Sequence, residues 1–205
     1  DFTLTPSMVY HDHGNLTNRP MIWLDGLDAP MVGYFDAMMQ EEFPEDEQPV
    51  SRPDGFTNVR VGNGLMRGID DRIAPDRPLP ITYKWDESYG ALVDWNEDTK
   101  FDGVAMEYIN PITGGHAMPT LMSALHRIKP STRTQAHRHT SSVIYHVAKG
   151  SGFSIIDGIR IEWAHGDTFV LPPLAWHEHG NDSDGADAVL FSMSDRPVLE
   201  AMGIY

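Results

Sequence analysis

From about Leu121 onward the apolar and polar positions fall into short runs of alternating or continuous hydrophobicity. LMSALHRI (121–128), SSVIYHVAKG (141–150), GFSIIDGIRIEW (152–163), DTFVLPP (167–173) and AVLFSMS (188–194) are rich in β-branched and aromatic residues. Runs of that length and composition predict strands. Gly150, Gly152, Asp157-Gly158, Gly166-Asp167 and Asn181 punctuate them. Many short strands separated by turn signals predict an all-β sandwich or small barrel.

The first hundred residues read differently. Phe2–Tyr10 and Pro20–Leu24 have strand character and flank the turn-rich segment His11-Asp12-His13-Gly14-Asn15. Between Ala29 and Glu42, Met31, Tyr34, Phe35, Met38 and Met39 recur at helical spacing. Pro30 suits a first helical turn, and Pro44 marks the end of the pattern. An acidic, proline-rich stretch follows, and the sequence stays rich in Gly, Asp and Pro to about Pro80, which predicts an irregular connector. Ser88 to Asn96 predicts a second short helix. The chain opens on Asp1, inside a strand-like segment, and is expected to be a piece of a longer protein. The expected division is 1–28, 29–103 and 104–205.

Composition narrows the function classes. Thirty acidic against 15 basic residues give a formal charge of −15, which disfavours nucleic acid and anionic membranes as partners. No apolar run approaches the roughly 20 residues of a membrane span, and the expected location is the cytoplasm. Cysteine is absent, so disulfides, thiolate metal sites and thiol nucleophiles are excluded.

Histidine carries the candidate chemistry. Six of the ten histidines lie between positions 137 and 179. His137 and His139 are two apart on a segment leading into a strand, so their side chains share a face. Val143, Tyr145 and Val147 have the same parity, which predicts that the face is inward. His177 follows the Gly166-Asp167 turn and the Pro172-Pro173 pair, and is expected to project from a neighbouring strand. Three neutral imidazoles on one side of a metal leave positions for other ligands and suit Fe, Cu, Ni or Zn. His146 and His165 read as exposed or turn residues, and His116 and His126 have no assigned role.

His137-Arg138-His139, then Gly166, Pro172, His177 and Asn181 with five, four and three residues between them, resemble the paired motifs of cupins. The glutamate that many cupins place four or five residues after His-x-His is absent, with Val143 and Ile144 there instead. AHRHTSSVIYHVAKGSG, DTFVLPPLAWHEHGN, VLFSMSDRPVLEAMGIY and NPITGGHAMPT resemble the carboxy-terminal half of gentisate 1,2-dioxygenases. The amino-terminal LTPSMVYHDHGN and PMIWLDGLDAP resemble the end of that family's first cupin.

The resemblance implies a bicupin, with this chain holding the tail of the first barrel, a connector and the whole second barrel. It further implies cleavage of gentisate, or a related hydroxylated aromatic acid such as salicylate or 1-hydroxy-2-naphthoate, with non-haem Fe(II) and O2. Gentisate would give maleylpyruvate. His11 matches the third iron ligand of the first barrel, and His13 and Asp25 match catalytic residues that shape its substrate pocket. His137, His139 and His177 match the metal ligands of the second barrel. Glu178 and Asp167 are sequence neighbours that could orient these ligands, and Arg127, Arg133 and Arg138 are candidates for pairing a substrate carboxylate. The family pattern also implies a homotetramer, for which the Met31 to Met39 face is a candidate contact. A non-catalytic, metal-binding or structural cupin is the competing expectation.

Overall fold

The computed structural model describes residues 1–73 and 79–205. Within them the chain forms two compact units, Asp1–Tyr83 with Pro111–Thr113, and Lys84–Asn110 with Gly114–Tyr205.

The first unit has little regular structure. Strand β1 (Phe2–Thr3) pairs antiparallel with β2 (Thr82–Tyr83), and Phe2 stacks on Tyr83. Between them lie helix α1 (Ala29–Tyr34), helix α2 (Phe56–Arg60) and a 3-10 turn at Gly62–Gly64. The expected strand over Phe2–Tyr10 is therefore only two residues long, and no strand forms over Pro20–Leu24. A strand needs a partner ladder, and β2 is the sole partner among the described residues of this unit. The helix expected to run from Ala29 to Glu42 stops at Tyr34, because Asp36 adopts a left-handed φ of 55°. Its intended apolar face is exposed at Tyr34, Phe35, Met38 and Met39. Part of the expected connector, residues 74–78, lies outside the described residues.

The second unit opens with helix α3 (Trp85–Trp95), three residues earlier than the apolar pattern predicts. Asp86 and Glu87 sit in its first turn, where they oppose the helix dipole favourably. Asn96 ends it in the left-handed conformation, and Leu92 is its buried contact. The strands then follow: β3 (Val104–Glu107), β4 (Met122–Ile128), β5 (Thr132–Arg133), β6 (Val143–Lys149), β7 (Ser151–Ile156), β8 (Ile159–Ala164), β9 (Thr168–Leu171), β10 (His177–Asn181) and β11 (Ala188–Ser194). A short helix α4 (Arg196–Ala201) follows.

These strands make two antiparallel sheets, β5-β10-β7-β8 and β3-β4-β11-β6-β9. Ile128, Val143, Tyr145, Val147, Ile156, Trp163, Leu171 and Leu190 form the core of this double-sheet barrel. The expected inward parity of Val143, Tyr145 and Val147 holds, with Ile144 on the opposite, exposed face. β7 and β8 are joined by Asp157-Gly158, both at positive φ, which matches the right-handed twist of a tight hairpin. The floor of the four-stranded sheet demands glycine. A Cβ on Gly152 would lie 2.4 Å from the carbonyl oxygen of Gly180 and 2.5 Å from the Trp163 ring. Neither neighbour is a flexible side-chain tip. Gly152→Ala should lower stability by about 1–3 kcal/mol, as overpacking does, seen as a lower urea midpoint at unchanged m-value.

Candidate metal centre

His137 and His139 lie on the segment leading into β6 rather than inside a regular strand. That segment is held by backbone pairing to β10. The His137 amide donates to the His177 carbonyl at 3.0 Å, and the His177 amide donates to the His137 carbonyl at 2.8 Å. The Leu174 amide donates to the His139 carbonyl at 2.8 Å. Leu174 makes this bond from a left-handed φ of 63°, an uncommon conformation for a bulky side chain. The Pro172-Pro173 stop and this strained residue turn the chain into β10 and bring its first side chain, His177, inward.

The three imidazoles converge. The His137 and His177 ring centroids are 4.0 Å apart, His139 and His177 5.0 Å, and His137 and His139 5.7 Å. One nitrogen from each lies within 4.8 Å of the others, so the set could hold a metal ion. Two of the rings are oriented by their second nitrogen. His177 Nδ1 lies 3.1 Å from the Ala175 carbonyl, and His139 Nδ1 lies 3.0 Å from the Ser141 carbonyl and 2.8 Å from the Ser141 hydroxyl. An Nδ1–H donated to a carbonyl leaves Nε2 with its lone pair available to a metal, the usual arrangement of ligating histidines. His177 Nε2 and His137 Nδ1 are buried without a protein partner. A buried polar atom left unpaired costs about 1–3 kcal/mol, and a shared cation would remove that cost.

Glu178 and Asp167 do not orient these rings. Glu178 faces outward and pairs with Arg133, and Asp167 accepts from the Ala164 amide. Arg127 is paired with Asp187 at 2.8 Å, and Arg138 packs over the Trp176 ring. Near the triad, Phe101 lies 5.0 Å from the His137 ring. Tyr205 stacks on His139 at 6.2 Å and is itself covered by the Arg196 guanidinium at 4.4 Å.

Burial lowers the pKa of His177 to about 4, and burial also lowers that of His139. Both are therefore neutral at neutral pH, the protonation state a metal requires.

Sequence reasoning passed over His179, which is on the same face of β10 as His177 and is 1% exposed. Its signal was the alternation within His177-Glu178-His179. His126 is also buried, donating to or accepting from Ser192 Oγ at 2.8 Å. His146 reaches Thr168 Oγ1, His165 is exposed, and His116 bridges Glu107 and Glu200 on the surface.

In the first unit His11, His13 and Asp25 are all exposed. His11 and His13 rings meet edge-on at 5.6 Å, and His13 stacks on Trp23 at 5.0 Å. No metal-ligand cluster of three forms around them among the described residues.

The chain is similar to known proteins both in sequence and in fold. The cupin domain family matches residues 124–194. Over the whole chain the sequence is 37% identical to a 5-aminosalicylate 1,2-dioxygenase from Comamonas sp, spanning 54% of that protein. It is 36% identical to gentisate 1,2 dioxygenase 1 from Aquipseudomonas alcaligenes, spanning 59% of it. A structure of salicylate 1,2-dioxygenase from Pseudoaminobacter salicylatoxidans, a point variant, superposes with a TM-score of 0.76 at 27% identity, covering 93% of this chain and 55% of that one. The chain thus spans about half the length of the relatives it matches.

The depressed histidine pKa values have a consequence for stability. As pH falls from about 6.5 to about 4, an unfolded chain takes up protons on His177 that the folded chain refuses. The metal-free fold is therefore expected to lose stability across that window and to be most stable above it. Melting temperatures of metal-free protein between pH 7 and pH 4 should show the decline, and a flat profile would contradict it. Along its whole length the chain is similar to gentisate 1,2-dioxygenases and related aromatic-acid dioxygenases, and residues 124–194 match the cupin domain family.

Proposed function

We propose that this chain is the second-barrel portion of a dioxygenase that cleaves the ring of gentisate or a related hydroxylated aromatic acid with non-haem Fe(II) and O2. The observation that carries the reading is the convergence of His137, His139 and His177 within 4.8 Å, in a chain similar along its whole length to aromatic-acid dioxygenases. Their donor set is all neutral nitrogen, which suits ferrous iron among other divalent metals. A bound ferrous ion would supply open coordination positions and an electron path between an aromatic acid and dioxygen.

The chain's own residues would do the rest. Ala175 and Ser141 hold the His177 and His139 rings in position, and the paired backbone of His137 and His177 fixes the separation of the two segments. Tyr205 and Phe101 lie against the histidine rings and would limit access of water. In the first barrel, His11 is proposed as an iron ligand and His13 and Asp25 as catalytic residues of its substrate pocket. Those three are exposed here, and the reading requires further protein to enclose them. The whole protein is proposed to be a cytoplasmic homotetramer acting on a small aromatic acid.

The structural-cupin reading retains one supporting observation, the side chain of Tyr205 stacked on His139. The complete protein, loaded anaerobically with Fe(II), should consume oxygen when given gentisate or salicylate. Loss of an outer partner of a metal ligand alone costs about 10–100-fold, so His11→Ala should reduce turnover by more than about 100-fold. If His177→Ala leaves turnover intact, the second barrel is structural; an equal loss makes it a participant. No oxygen uptake with any such acid would reject the dioxygenase reading.

A further inference from the structure

The segment around β10 repeats a pattern from the start of the chain. Tyr10-His11-Asp12-His13-Gly14-Asn15 and Trp176-His177-Glu178-His179-Gly180-Asn181 both read aromatic, His, acid, His, Gly, Asn. In β10 most of these positions have a complete structural explanation. Gly180 is required because a Cβ there would lie 2.2 Å from the Phe153 ring. Asn181 donates to the carbonyls of Ile128 and Ala186 at 3.0 and 2.8 Å, and accepts from the Ser183 amide at 2.9 Å. Glu178 pairs with Arg133 outside the barrel. His177 belongs to the triad.

His179 is only half explained. Its Nδ1 lies 2.8 Å from Ser154 Oγ, and that oxygen accepts the Trp163 Nε1–H at 2.9 Å. The arrangement that leaves fewest groups unmet among the described residues has the Ser154 hydroxyl donating to His179 Nδ1. The reverse would leave both the Ser154 hydroxyl proton and His179 Nε2 without a partner there. The ring proton then sits on Nε2. That nitrogen is buried and has no hydrogen-bond partner. Tyr145 and Phe169 pack beside the ring, with Tyr145 edge-on at 4.9 Å. A side chain fixed on one edge by a serine and a tryptophan, and left with an unpaired donor on the other, costs stability that a phenylalanine would not.

The donor is placed beside the triad. His177 and His179 are same-face neighbours on one strand, with ring centroids 5.8 Å apart. A metal sits about 2.1 Å from an imidazole nitrogen, and an atom bound to that metal lies about as far beyond it. That distance, plus a hydrogen bond of about 2.9 Å, spans the gap between adjacent same-face side chains. We propose that His179 is a ligand-binding residue of the second barrel, its Nε2–H donating to a small anionic oxygen or nitrogen ligand of a metal held by His137, His139 and His177. The inference rests on the proposed metal centre but assigns His179 a task the triad alone does not supply: selecting for a bound anion. Burial keeps the ring neutral, so it acts as a hydrogen-bond donor rather than as a charge.

The test uses the 205-residue chain, Co(II) as the metal and azide as the anion, followed by visible absorption. The Co(II) titration comes first and reports on the triad alone. Wild-type protein and His179→Phe should each bind one Co(II), and His177→Ala should bind none. Azide should then perturb the wild-type Co(II) spectrum, with its Kd raised at least tenfold in His179→Phe and restored to within threefold in His179→Gln, which keeps an N–H donor. On the unsubstituted, Zn(II)-loaded chain, azide should also shift the His179 ring nitrogen resonance in long-range proton–nitrogen spectra. Equal azide affinity in wild type and His179→Phe, or an unmoved His179 resonance, would overturn the proposal while leaving the metal centre standing. Failure of wild-type protein to bind Co(II) would overturn both.

Discussion

Two reciprocal backbone hydrogen bonds join His137 to His177, one residue from each side of the barrel mouth. They are an isolated antiparallel bridge, outside any continuous ladder, and they decide where the two imidazole rings go. Because residues at a bridge stand opposite one another, the two side chains emerge on the same face and their rings come within 4.0 Å. His139 follows by period two from His137, and the Leu174 amide fixes its carbonyl. The remainder of the second unit serves this bridge. β10 is held between β5 and β7 in one sheet, and Gly152 and Gly180 allow the close approach that keeps it flat against its neighbours.

Most of the barrel was legible in the sequence because its strands carry apolar residues at period two. AVLFSMS corresponds residue for residue to β11, and the Asp157-Gly158 turn falls between β7 and β8. β10 was expected only as the neighbouring strand from which His177 projects, without bounds or register. Its residues, His-Glu-His-Gly-Asn, have poor β-propensity, and only pairing with β7 and β5 makes the segment extended. The three triad histidines were readable from spacing, and His179 was passed over although its parity with His177 on that expected strand was available. For the groups that support the rings, the sequence offered only two charged neighbours, Glu178 and Asp167, with no assignment between them. The structure uses main-chain carbonyls of Ala175 and Ser141 instead, and such partners have no signature in side-chain identity.

The first unit shows the opposite limit. Its helical and strand-like patterns were present in the sequence, yet α1 ends after six residues and β1 after two. Period alone does not hold an element together when its apolar face finds nothing to bury against. Met31 aside, the residues that defined the pattern, Tyr34, Phe35, Met38 and Met39, are exposed, as are His11, His13 and Asp25. A site composed of those residues depends on protein that would cover them. The second unit, by contrast, holds within itself its core, the carbonyls that orient the histidine rings and the buried unpaired ring nitrogens.

We propose that His137, His139 and His177 form a metal centre within this chain. Its most direct test is the iron content of the purified 205-residue protein after anaerobic Fe(II) loading and desalting, alongside His137→Ala, His139→Ala and His177→Ala. About one iron per chain is expected in the wild type, and loss of iron in each variant. Wild-type protein that retains no iron, or variants that retain as much as the wild type, would contradict it.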